Sequence, residues 1–134
     1  MSREKIISGI QEERIISIIR GANKNNIADI IHSLYDGGIR YAEITFDQSG
    51  TVSDDETAAM ISAACEKSAG KMSIGTGTVV SEKQTELAKD AGAEFIISPN
   101  TDSAVIKRTI ELGMVSIPGA FTPSEIIAAH SFGA

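Results

Sequence analysis

The sequence has no tryptophan, a single cysteine and three prolines among 134 residues, and aromatic side chains make up only 4% of it. A lone cysteine, Cys65, cannot form an internal disulfide, which points to a reducing compartment and away from disulfide-stapled secreted domains. No apolar run is long enough to span a bilayer, and the first five residues lack the apolar core of a signal peptide. The expectation is a soluble, cytoplasmic chain. Basic excess is missing too: 12 lysines and arginines face 18 aspartates and glutamates, for a net charge of −6. Scattered cations in an acidic chain argue against nucleic acid or an anionic membrane as the partner. They leave room for a small anionic metabolite, which one or two well-placed cations can hold.

What is present is an aliphatic core composition. Hydrophobic residues reach 42%, drawn from isoleucine, alanine, valine and leucine, a mix that suits parallel strands covered by helices. One phrase recurs along the chain: an amphipathic helix, a glycine, a short β-rich run, then a polar or glycine-bearing loop. Gly38 precedes Ile39 to Phe46, Gly70 precedes Met72 to Gly75, Gly92 precedes Glu94 to Ser98, and Gly113 precedes Met114 to Ile117. Each glycine stands where a helix end needs a left-handed residue. Arg14 to Arg20 reads as a first, isoleucine-rich strand, and residues 1 to about 12 as an extra N-terminal helix with Ile6, Ile7 and Ile10 on one side. Ser53 with Glu56, Ser81 with Gln84, and Thr122 with Glu125 fit the capping box, and Pro123 adds the favoured proline at the first helical position.

Alternating strands and helices at this spacing demand right-handed crossovers and a parallel sheet. The fold class is α/β, of the (β/α)8-barrel type, with about five βα units preceded by a helix; residues 1–134 form one partial barrel domain. A closed barrel needs eight units, and the pattern stops after Gly133 where another strand is due. Two open sheet edges and an open apolar face lead to an expectation of self-association.

In such folds reactive groups stand at the C-terminal ends of strands and on the loops that follow. Strand 1 delivers Arg20 there, and strand 2 delivers Glu43 and Thr45. Strand 3 runs into Gly75-Thr76-Gly77-Thr78, strand 4 into Ser98-Pro99-Asn100, and strand 5 into Pro118-Gly119-Ala120-Phe121-Thr122. Along strand 2, Ala42, Ile44 and Phe46 suit packing against helices, which turns Glu43 and Thr45 inward. A carboxylate placed there loses water, so its pKa should rise towards the range useful for proton transfer. The competing reading is a structural ion pair with Arg20 or Arg40. Arg20 could hold a carboxylate or phosphate with its planar fork, or could simply be a solvated arginine at a strand end. The Gly-Thr-Gly-Thr run could bring backbone N–H groups close to an anion, although Gly-Thr pairs are common in turns. His32 and His130 fall on helices, Cys65 falls on an apolar stripe, and Asp54, Asp55 and Glu56 suit a helix N-terminus. No His, Cys, Asp and Glu cluster has metal-ligand spacing, so no metal is expected.

The ordered runs RIISIIRG, GGIRYAEITF, GTGTV, AGAEFIISPN and GMVSIPGAFTPSE resemble the class I aldolases that act on 2-keto-3-deoxy-6-phosphogluconate (KDPG) or 4-hydroxy-2-oxoglutarate (KHG). The resemblance runs from about Glu13 to Ala134. It implies a lyase that releases pyruvate by reversible retro-aldol cleavage through a lysine imine, in a cytoplasmic homotrimer with no metal or organic cofactor. By that resemblance Glu43 is the proton-shuttling glutamate. Arg20, Thr45 and Thr78 help hold the keto-acid carboxylate, and Pro99, Pro118, Gly119 and Thr122 line the substrate pocket. Some members carry an arginine shortly after the strand-2 glutamate, where this chain has Phe46-Asp47-Gln48. The family's Schiff-base lysine lies on strand 6, beyond Ala134, so the chain alone is expected to lack imine catalysis. Two other readings stay open: another small barrel enzyme for phosphate-bearing ligands, such as a synthase or epimerase, and a non-catalytic assembling or binding fragment.

Overall fold

The computed structural model describes residues 2–134. Among the described residues helices and strands alternate: α1 (Arg3–Glu13), β1 (Ser17–Ile19), α2 (Ile27–Asp36), β2 (Tyr41–Thr45), α3 (Asp54–Ser68), β3 (Ser73–Gly77), α4 (Glu82–Asp90), β4 (Phe95–Ser98), α5 (Ser103–Glu111), β5 (Val115–Pro118) and α6 (Pro123–Ser131). The strands form one parallel sheet in the order β1-β2-β3-β4-β5. Sequence neighbours are therefore spatial neighbours, as in five consecutive units of a (β/α) barrel, and β1 and β5 are its edges.

Register sorts the side chains into two layers. Ile18 lies opposite Glu43, Glu43 opposite Gly75, and Thr45 opposite Gly77; residues opposite one another share a face. The other face carries Ile19, Ala42, Ile44, Phe46, Ile74 and Ile96, which pack with Ile27 and Ile31 of α2 and with Met60, Ile61 and Ala64 of α3. This larger core matches the expected outward turn of Ala42, Ile44 and Phe46.

The inward face is closed at its base by α1. Ile6, only 1% exposed, packs with Tyr41, Phe95 and Val115, joined by Ile10, Ile16, Ile97 and Ile117. Burying one such isoleucine stabilises the fold by about 1.5–3 kcal/mol, so α1 is part of the core. Ile7, expected on the same side, is turned outward and 40% exposed.

The helix ends follow the sequence signals closely. Gly38, Gly70, Gly92 and Gly113 all take positive φ. The capping boxes at Ser53 and Thr122 are complete. At Ser81 only half the box forms: its hydroxyl accepts from the Gln84 N–H, while the Gln84 amide accepts from the Val80 N–H and donates to Asp54 at 3.0 Å. That amide ties α4 to the start of α3. Strand 1 is shorter than the run from Arg14 to Arg20, because α1 continues to Glu13 and Arg14 closes it in a left-handed conformation with φ 59°. Strand 3, in contrast, extends through Gly77, since Thr45 and Gly77 remain paired.

Gly75 is the tightest inward position of β3. A Cβ there would fall on the ring of Phe95, itself fully buried in the inward core. Gly75→Ala should lower stability by about 1–3 kcal/mol, the usual penalty of overpacking. Urea denaturation should show the midpoint falling, and an unchanged midpoint would mean that Phe95 is free to move aside.

Candidate active site

Glu43 stands on the inward face near the C-terminal end of β2 and is 4% exposed. Its carboxylate rests on Gly77 of the neighbouring strand: a Cβ at position 77 would lie 2.5 Å from Oε2. Glycine at 77 thus makes the room that the carboxylate occupies. Oε2 is buried and accepts no hydrogen bond. Burial pushes the Glu43 pKa above the usual carboxylate value, and the nearby charge of Arg20 opposes that shift only in part.

The structural ion-pair alternative does not describe this carboxylate. Arg40 is occupied elsewhere, donating to the Tyr35 and Ile39 carbonyls at 3.0 and 2.9 Å and lying 4.3 Å over the Tyr35 ring. Among the described residues Glu43 makes no ion pair within 4.0 Å. A buried carboxyl oxygen without a partner costs free energy that the fold does not recover, so it calls for a reason.

At the C-terminal ends of β1 and β2 lies a cavity of about 430 Å³. Its polar lining includes Arg20, Thr45 and Thr78, and its apolar lining includes Ile19, Ile44, Phe46 and Met60. Three of the expected residues therefore surround one space; Glu43 does not line it, and the charge of Arg20 is what links the two. Arg20 is exposed and Thr45 half-buried. Thr78 has φ 57°, a left-handed conformation that is rare for a β-branched residue and costs about 1–3 kcal/mol.

Pro99, Pro118 and Gly119 form a second group at the same end of the sheet, around β4 and β5. The Gly119 N–H donates to the Ser98 carbonyl at 2.8 Å, and the Thr101 hydroxyl donates to the Gly119 carbonyl at 2.7 Å. A Cβ at position 119 would meet the Pro99 carbonyl. These residues pack on one another and do not line the cavity. Thr122 is exposed, and its hydroxyl is committed to capping α6, accepting from the Glu125 N–H and donating to the Glu125 carboxylate at 2.9 Å.

Two residues of the site went unmarked in the sequence. Asp47 and Gln48 line the cavity, and the Gln48 amide donates to the Thr78 carbonyl at 2.9 Å. The Asp47 carboxylate gathers the Ser49 N–H, the Ser49 hydroxyl and the Val52 N–H at 2.8–2.9 Å, and these bonds hold its pKa down to about 2. The available signal was the run Asp47-Gln48-Ser49-Gly50, which has the composition of an Asx turn. The remaining candidates are peripheral. Burial pushes the half-buried Cys65 thiol up to about 11, and His32 and His130 are exposed on α2 and α6. Among the described residues no group of three or more His, Cys, Asp and Glu side chains could hold a metal ion, and no helix is long and apolar enough to cross a membrane.

Comparison with known proteins gives one answer. Residues 6–134 match the model of the KDPG and KHG aldolases. A probable 2-dehydro-3-deoxy-6-phosphogalactonate aldolase of Rhizobium meliloti is 35% identical over 124 residues, which are 92% of this chain and 55% of that protein. A 2-dehydro-3-deoxy-phosphogluconate aldolase of Treponema pallidum is 30% identical over 128 residues, 96% of this chain and 58% of that one. A solved structure described as native KDPGal superposes with a TM-score of 0.78 at 28% identity, covering 89% of this chain and 55% of its own. The chain thus spans somewhat more than half the length of these relatives.

The raised Glu43 pKa has a thermodynamic consequence. The native state binds the Glu43 proton more tightly than the unfolded chain does. Stability is therefore lost as pH rises from the ordinary value of 4.5 through the native one. Glu43→Gln keeps the shape without the charge. Its thermal midpoint should match that of the parent well below pH 4.5 and exceed it increasingly above that value. A variant that is less stable than the parent at pH 8 would mean that the carboxylate has a stabilising partner.

Proposed function

The chain belongs to the KDPG and KHG aldolase family, and on that premise we propose that it carries the proton-transfer and carboxylate-binding half of a pyruvate-releasing retro-aldol site. The observation that carries this reading is the Glu43 carboxylate, buried on the inward face, unpartnered at Oε2 and within the field of Arg20, which edges the cavity. A general acid–base works best with a pKa near the operating pH, and desolvation moves a glutamate in that direction. In C–C cleavage Glu43 takes the proton of the substrate hydroxyl and returns one to the pyruvyl carbon. It serves in the same way while the carbinolamine loses water. Arg20 engages the keto-acid carboxylate, with the Thr45 and Thr78 hydroxyls as further donors. The substrate class is a 2-keto-3-deoxy sugar acid phosphate or 4-hydroxy-2-oxoglutarate. The setting is cytoplasmic and homo-oligomeric, a trimer on the family pattern.

The covalent half needs a neutral lysine amine as the electron sink. All seven lysines of these residues are exposed, and none lines the cavity. Lys24, on the loop after β1, acts with its charge on Glu56 at the start of α3. A nucleophilic lysine needs a desolvated pocket or a neighbouring cation to activate it, and none of these lysines is buried. Within residues 1–134, therefore, the site binds and polarises a keto acid without forming an imine.

Two measurements check this. Pyruvate with borohydride, followed by intact-mass analysis, should leave the 134-residue chain unmodified; a stoichiometric adduct on one lysine would overturn the division of labour. In an NMR titration, Arg20→Met should weaken pyruvate binding about tenfold, as loss of a charge-assisted hydrogen bond does. Unchanged binding would release Arg20 from its role.

A further inference from the structure

Thr78 occupies a backbone conformation that its own side chain disfavours, so its neighbours must hold it there. Three hydrogen bonds clamp the stretch from 77 to 79. The Phe46 N–H donates to the Gly77 carbonyl at 3.0 Å, the Val79 N–H donates to the Ile97 carbonyl at 3.3 Å, and the Gln48 amide donates to the Thr78 carbonyl at 2.9 Å. Two of these are backbone bonds that any sequence could make. The third is the only one of the three that depends on a side chain.

Gln48 is itself held. It projects from a loop wound around the Asp47 carboxylate, whose bonds to Ser49 and Val52 fix residues 47–52 as a compact turn. The amide therefore bridges two loops, one after β2 and one after β3. The residue next to its acceptor is Gly77, against which the Glu43 carboxylate rests. Thr78 and Gln48 both line the cavity.

We propose that Gln48 is a positioning residue, whose amide latches the left-handed turn at Thr78 and so fixes both the Thr78 hydroxyl and the Gly77 seat of Glu43. The inference deepens the keto-acid reading of the site and rests on it for its ligand. Gln48 touches no reacting atom; it acts through Thr78 and Gly77.

The test uses the full 134-residue chain, labelled with nitrogen-15, in three forms: the parent, Gln48→Leu, which keeps the approximate volume but has no donor, and Gln48→Arg, which keeps a donor. The HN–Hα coupling of Thr78 reports its φ, and pyruvate is the titrant. Gln48→Leu should shift the Thr78 coupling and the Val79 amide signal while leaving the thermal midpoint unchanged, because the side chain is exposed. It should weaken pyruvate binding about threefold to tenfold, the usual worth of one hydrogen bond. Gln48→Arg should restore both readouts. An unchanged Thr78 coupling in Gln48→Leu would overturn the latch. A changed coupling with unchanged pyruvate affinity would overturn its bearing on the site. If pyruvate leaves the parent spectrum untouched, the keto-acid reading itself fails, and the Thr78 coupling alone then decides whether the latch exists.

Discussion

Everything at this site depends on one unfavourable placement: a carboxylate held out of water on the inward face of a parallel sheet. Glu43 is there because β2 alternates strictly, and its other face is claimed by Ala42, Ile44 and Phe46 in the helix-covered core. The sheet cannot turn Glu43 outward without exposing those three, since a one-residue slip moves every side chain to the opposite face. The larger core thus pins the charge in place. β3 answers with glycines at the two inward positions beside Glu43 and Thr45, Gly75 and Gly77. One makes room for Phe95 and the other for the carboxylate. The Gly-Thr-Gly-Thr run is thus in part a strand hollowed out to fit its neighbours.

The sheet's inward face is divided along its length. Towards the base, Tyr41, Phe95 and Val115 pack under α1, which is held as a plug by Ile6. Towards the C-terminal end the packing gives way to Glu43 and Thr45. α1 also reaches across the molecule: the Arg3 guanidinium donates to the Gly133 carbonyl at 3.2 Å, bringing the first helix to the turn that follows α6. Among the described residues β1 and β5 are the edge strands of the sheet.

Much of this was legible in the residues. The order of elements, the parallel sheet, the inward turn of Glu43 and the positive-φ glycines at four helix ends all follow from alternation, periodicity and cap chemistry, which are local. Arg20, Thr45 and Thr78 were findable because strand ends are where such folds keep their chemistry. Less legible was whatever depended on a contact between loops. The Asx-turn composition marks the loop of Gln48 but not the bond it makes, because its partner Thr78 is 30 residues away. The left-handed turn at Thr78 contradicts the preference of a threonine, so sequence reasoning points the wrong way there. Thr122 shows the converse: the resemblance implies a pocket residue, the local pattern implies a helix cap, and its hydroxyl bonds Glu125 as the cap requires. The length of β1 was misjudged for a similar reason. Ile15 and Ile16 have strand-like side chains, but the left-handed Arg14 and the end of α1 consume the residues that a longer strand would need.

The central claim is that Glu43 is a desolvated carboxylate poised for proton transfer, and its own titration tests that claim most directly. Carbon-13 NMR of the Glu43 side-chain carboxyl, followed across the acid-to-neutral range, reads the midpoint without requiring any ligand or turnover. The account predicts a midpoint above the ordinary 4.5, rising further in Arg20→Met as the opposing charge is removed. A midpoint at or below 4.5 that is insensitive to Arg20 would contradict it, and would make Glu43 a solvated or ion-paired structural residue.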